Sequence, residues 1–146
     1  VGDLGLLQAR QKKLLALLDS KCQQSVQYES LVNMAEKLYA QTSPDGREII
    51  RQNMKDLRNV WELVSETLQC SLSKLDNCLL QFAEFSLSQE QLTKWLKNIE
   101  QAMQQHTETK ATLQEKKAQL QNHVVINQEI LSHQNLVQSV CDKAQE

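Results

Sequence analysis

Residues 50–106 read IRQNMKDLRNVWELVSETLQCSLSKLDNCLLQFAEFSLSQEQLTKWLKNIEQAMQQH. Steps of four and three through this stretch pick out Ile50, Met54, Leu57, Trp61, Val64, Leu68, Ser71, Leu75, Cys78, Phe82 and Phe85. The same steps continue through Gln89, Leu92, Leu96, Ile99, Met103 and His106. Only Ser71, Gln89 and His106 interrupt the apolar row, and neither Gly nor Pro occurs inside it. Apolar residues at this spacing share one helical face, which must pack on a partner helix. The spacing predicts one continuous helix from about residue 44 to 105, on the order of 90 Å long at ~1.5 Å per residue.

The flanking residues set its limits. Ser43 is a good N-cap, Pro44 suits the first helical position, and Asp45 places charge at the positive end of the dipole. Gly46 then loosens the turn. Ser88 and Gln91 also have capping-box spacing, but the unbroken heptad phase predicts continuity through them. Upstream, Leu7, Leu14, Leu18, Tyr28, Leu31, Ala35 and Leu38 predict a helix over about 6–40, with Lys21 and Gln24 weakening its middle. Downstream, Leu113, Leu120, Val124, Ile130, Leu131, Val137, Val140 and Cys141 predict a helix over about 112–146. Thr112 and Glu115 form a capping box at its start, after a turn at His106–Thr109.

Composition agrees with an all-α chain. In 146 residues there are three glycines, one proline and six aromatics, too few turn residues for a β or α/β fold. The formal charge is −2, with basic residues gathered only at Arg10, Lys12 and Lys13 and at Lys116 and Lys117. That is too little for the phosphate backbone of a nucleic acid, and no apolar run approaches the ~20 residues of a bilayer span. Cys22, Cys70, Cys78 and Cys141 form no C-x-x-C pair, which points to a reducing cytoplasm with thiols used as small core residues. Cys78 falls on the apolar row, and Cys70 about 80° from it.

Nothing in the pattern supports catalysis, a cofactor or a metal. His106, His123 and His133 lack ligand spacing along a helix and read as helix-surface residues. Gly2, Gly5 and Gly46 form no phosphate loop. No thiol has an activating neighbour. The expected structural core is Leu57, Trp61, Val64, Leu68, Leu75, Phe82, Leu92, Trp95, Leu96 and Ile99. Truncating either tryptophan is expected to cost ~3–5 kcal/mol, as for a buried aromatic.

A shift of 106 residues aligns the outer helices: Leu7 falls on Leu113, Leu14 on Leu120, Leu18 on Val124 and Leu31 on Val137. With this interval, the chain resembles the spectrin-repeat family. Leu57-Arg58-Asn59-Val60-Trp61-Glu62-Leu63 is similar to the tryptophan segment of that family's third helix. Leu92-Thr93-Lys94-Trp95-Leu96 is similar to the tryptophan segment of the next first helix. The resemblance implies an elongated bundle of two incomplete repeats. Residues 1–87 would lack a first helix (helices about 6–40 and 44–87). Residues 88–146 would lack a third (helices about 88–105 and 112–146).

Residues 74–89 and the glutamine-rich last helix resemble a giant nesprin rod, with a plakin or dystrophin-like rod as the alternative. The nesprin likeness implies a scaffold at the cytoplasmic face of the nuclear envelope, linked to actin. Its partner would be actin or a formin-type actin regulator, docked on residues 70–95. The other function class is self-association, a homodimer formed through uncovered helix faces. Neither class involves nucleic acid or membrane insertion by this segment.

Overall fold

The computed structural model describes residues 4–145; Gly2 and both ends of the expected 1–146 span lie outside the described residues. Four helices follow in order: α1 (Leu4–Gln41), α2 (Pro44–Gln105), α3 (Leu113–Ser132) and α4 (Gln134–Lys143). No strand occurs among the described residues. The chain is all-α, as its composition and periodicity predict. Two compact units divide α2 between them: α1 with α2 through Leu80, and α2 from Gln81 with α3 and α4.

In the first unit, half-buried residues of α1 fall at Leu7, Gln11, Leu14, Leu18, Lys21, Ser25, Tyr28, Val32 and Ala35. These positions alternate by four and three without a break, so they form one seam against α2. The facing row on α2 is Ile50, Met54, Leu57, Trp61, Ser65, Leu68, Leu72, Leu75 and Leu79. The seam differs from the apolar pattern because it has polar seats. Gln11 Nε2 donates to Asp76 Oδ1 at 2.8 Å, Ser25 Oγ to the Cys22 carbonyl at 2.7 Å, and Ser65 Oγ to the Trp61 carbonyl at 2.7 Å. Leu31 and Leu38, expected on the stripe, are exposed instead.

Between α1 and α2 the turn is tied by a residue that pattern reading missed. Arg47 Nε donates to the Tyr39 carbonyl at 3.1 Å, and its guanidinium lies 5.5 Å over the Tyr39 ring. The cation thereby satisfies carbonyl groups at the negative end of α1. Ser43 contributes its carbonyl, which accepts the Arg47 N–H at 2.9 Å. Thr42 packs so closely on Gly46 that a Cβ there would collide with the threonine methyl.

In the second unit the covered row on α2 changes phase. Leu79, Phe82, Phe85 and Ser88 follow at steps of three, after which Leu92, Trp95, Ile99 and Ala102 resume alternation. Each step of three falls back around the helix, so the row moves off the strict heptad. The expected unbroken phase is therefore corrected. Ser88, Trp95 and Ala102 take the seats assigned to Gln89, Leu96 and Met103. Beyond Leu80 the covering helices are α3 and α4 in place of α1, and a new partner selects its own row. The helix itself is continuous: Ser88 is an interior, half-buried residue rather than a cap.

At the start of α3, Thr112 accepts the Glu115 N–H and the Glu115 carboxylate accepts the Thr112 N–H, the capping box read from sequence. The expected single last helix is interrupted at His133. There the Glu129 carbonyl accepts from the His133 N–H (3.1 Å) and Ser132 Oγ (2.8 Å), with His133 Nδ1 2.9 Å away. The His133 N–H is shared with the Ile130 carbonyl at 3.2 Å, a three-centre bond of the kind that closes a helix end.

Two outcomes follow from this architecture. Ser88→Pro should cost ~3 kcal/mol or more by removing an interior helical bond and clashing with the preceding turn. A circular-dichroism melt indistinguishable from the parent's would show α2 to be broken there. Thr112→Ala should cost about 1 kcal/mol. Thr112 N–H and then its hydroxyl hold the Glu115 carboxyl below its ordinary value. A depressed folded pKa stabilises above the unfolded value, so this cap should weaken as pH falls through the glutamate range. Amide exchange at 113–116 measured against pH reads it directly.

Candidate docking groove and aromatic clamps

Each seam is held by a tryptophan stacked flat on a ring from the antiparallel helix. In the first unit, Trp61 and Tyr28 lie 4.5 Å apart between ring centres with planes 6° apart. Lys21 Nζ sits 5.5 Å over the same indole, so Trp61 meets a ring and a cation two turns apart on α1. In the second unit, Trp95 stacks on His133 at 4.2 Å and 7°, and its Nε1–H donates to Glu129 Oε1 at 2.9 Å. His133 Nδ1 lies 2.9 Å from the Glu129 carbonyl, a contact that becomes a hydrogen bond when Nδ1 carries the proton. Tyr28 and His133 are 105 residues apart. That spacing also relates Leu14 to Gln119, Leu18 to His123 and Ala35 to Val140, all on covered faces. The structural register is thus one residue shorter than the alignment of leucines, because polar and aromatic seats, not leucines, carry it.

The expected core residues stand as follows. Leu57, Trp61, Leu68, Leu75, Phe82, Leu92, Trp95 and Ile99 are half-buried. Val64 and Leu96 are not core: they are 44% and 50% exposed. Ser65 and Trp95 occupy the adjacent inward seats, and a single covering helix leaves the far side of the stripe open. Ile126 and Val140, each 8% exposed, are the only buried hydrophobic residues described. Ile126 was missed in the sequence because His123 and Gln119, its companions on the face, are polar.

Cys70 is exposed, as its place about 80° off the apolar row suggests, while Cys78 and the histidines depart from expectation in opposite directions. All four thiols, Cys78 included, are exposed. Cys78 shares the heptad row of Val64, on the side that α1 leaves open. His106, His123 and His133, expected on the surface, are all half-buried. Among the described residues no three His, Cys, Asp or Glu side chains converge on one point. No described helix is long and apolar enough to cross a membrane.

The first unit is two-sided. On one side a groove of 310 Å³ runs between α1 and α2, lined by Leu17, Ser20, Lys21, Gln24, Leu57, Val60, Trp61, Val64 and Leu68. Leu31 and Leu38 follow Gln24 at seven-residue steps, on the same row of α1. The opposite side is polar, lined by Gln69, Ser73, Asp76 and Asn77 around Leu18 and Leu72. On α2 that side continues through Lys55 and Glu62 at the same heptad spacing as Gln69 and Asp76. The groove side carries the larger continuous apolar surface, while Leu15 and Val26 stand exposed singly across the seam.

The tryptophan clamps make a measurable statement. Trp61→Ala and Trp95→Ala should each cost about 2–3 kcal/mol, less than the ~3–5 of a fully buried aromatic, because both rings keep an open face. Denaturant titration of the two variants checks this, and a loss under ~1 kcal/mol would remove the clamp as the seam's anchor.

No known family profile matches the chain, and no solved structure matches it. Several known proteins are similar. Over 145 residues, 99% of this chain, it is 54% identical to Muscle-specific protein 300 kDa of Drosophila melanogaster. Over 119 residues, 81% of the chain, it is 27% identical to Microtubule-actin cross-linking factor 1, isoforms 6/7, of Homo sapiens. The same identity over the same length holds for Microtubule-actin cross-linking factor 1 of Rattus norvegicus. None of these names is an enzyme's. The chain spans 1%, 3% and 2% of these relatives' lengths, so what it resembles is a short stretch of very long proteins.

Proposed function

We propose that the chain is a structural segment of a cytoskeletal linker of the spectrin-repeat kind, which sets distance and presents a helical face to a protein partner. The observation that carries this is the 54% identity across nearly the whole chain to a giant muscle protein. It is supported by the heptad seams and by the weaker likeness to proteins named as microtubule–actin cross-linkers. The finer reading is a nesprin-type linker between the nuclear envelope and actin, with actin or a formin-type regulator as partner. It rests on the resemblance of residues 74–89 and of the glutamine-rich C-terminal helices. The docking face moves from the expected 70–95 stretch to the apolar side of the first unit, where Leu17, Val60 and Val64 stand open beside Trp61. An amphipathic helix laid in this groove would bury them as a third layer.

Co-sedimentation with purified actin filaments, repeated with a purified formin-type regulator, tests the partner. Val60→Glu with Val64→Glu changes only exposed side chains, so the melt should hold while binding weakens by roughly tenfold or more. A parent chain that binds neither partner would remove the docking function and leave a spacer. The same open groove favours a second reading, self-association of two chains. Sedimentation equilibrium distinguishes it, since a dimer would show concentration-dependent mass and melting that the double variant abolishes.

A further inference from the structure

At the end of α2 and in the middle of α3 the seam brings together two imidazoles that lie far apart in sequence. The His106 and His123 rings are 5.1 Å apart between centres and tilted by 50°. Both are half-buried, and neither ring takes part in a hydrogen bond among the described residues. His133 provides the contrast, with its ring stacked on Trp95 and its Nδ1 2.9 Å from the Glu129 carbonyl. The backbone around His106 is also pinned to α3. Gln119, one turn before His123, donates Nε2 to the His106 carbonyl at 2.6 Å and to the Glu108 carbonyl at 3.0 Å.

We propose that His106 and His123 form a two-imidazole site for a late first-row divalent ion, Zn²⁺ or Cu²⁺, with water completing its coordination. Imidazole nitrogens bind such ions at ~2.0–2.1 Å, and two rings sharing a tetrahedral ion hold their centres about 5 Å apart. The observed separation already meets that requirement. Gln119 fixes the two backbones before any ion arrives, so little ordering is left for binding to impose. Neutral imidazole selects late transition ions over Mg²⁺ and Ca²⁺, which take oxygen ligands. The nearby carboxylate of Glu108 points to Lys110 Nζ, 3.5 Å away. A bound ion would staple the end of α2 to α3 and stiffen the turn between them. The inference does not depend on the docking groove, which lies in the other unit.

The test is a titration of ZnCl₂ into the metal-free 146-residue chain, followed by NMR of the histidine side chains and by thermal melting. The His106 and His123 resonances should move together, His133 should stay, and the melting temperature should rise and return with EDTA. MgCl₂ should do nothing. His106→Gln and His123→Gln, each checked for helicity, should each weaken the zinc midpoint by roughly tenfold or more, as loss of one of two ligands requires. Equal movement of His133, a single variant that keeps the parent midpoint, or no movement at millimolar zinc would each overturn the site.

Discussion

Each unit of this protein is only two helices thick, and that constraint governs nearly everything else. A helix that is covered by one neighbour can hide one row of side chains and must leave the adjoining rows to solvent. Hence α2, despite its 62 residues, contains no fully buried side chain, and only Ile126 and Val140 count as buried hydrophobics among the described residues. With so little depth available, burial alone holds register weakly. The seams instead rely on contacts with direction: flat ring stacks at Trp61 and Trp95, the Gln11–Asp76 bond, and the Trp95–Glu129 bond.

The polar residues on the covered faces then make sense. Gln11, Lys21, Ser25, Gln119, His123 and His133 interrupt the apolar rows, yet most of them meet a specific partner across the seam or along their own helix. A half-buried site tolerates such groups because each keeps water on one side while gaining a contact on the other. The break between α3 and α4 falls at His133, whose side chain also serves the Trp95 stack.

Sidedness connects the packing to the proposed role. In the first unit the continuous apolar groove lies on one side of the seam and a mixed polar surface around Leu18 and Leu72 on the other, which favours the groove side for a third helix. In the second unit the paired imidazoles and the Gln119 tie give the α2–α3 turn a chemistry that the first unit's turn, closed by Arg47 and Thr42, does not share. One repeated pattern of helix pairing thus carries two distinct local arrangements.

The sequence by itself determined the all-α class, the three connected stretches of helix, the continuity of α2 through Ser88 and the Thr112–Glu115 cap. These follow from local rules: capping chemistry, the scarcity of Gly and Pro, and apolar spacing act over a few residues. It also placed Trp61 and Trp95 on the faces that meet a neighbour. Only the tertiary structure decided which row of each broad stripe is covered. Val64, Leu96, Leu31, Leu38 and Cys78 lost their inward seats, while Ser65, Ile126, His123 and His133 gained them. It alone moved the repeat register from 106 to 105 residues and brought His106 to His123. The reason is physical. A heptad row states that a face is apolar, but which of two adjoining rows is buried depends on the side chains of the helix that covers it. That choice is made by stacking and hydrogen bonding across the seam, between residues that no local spacing links.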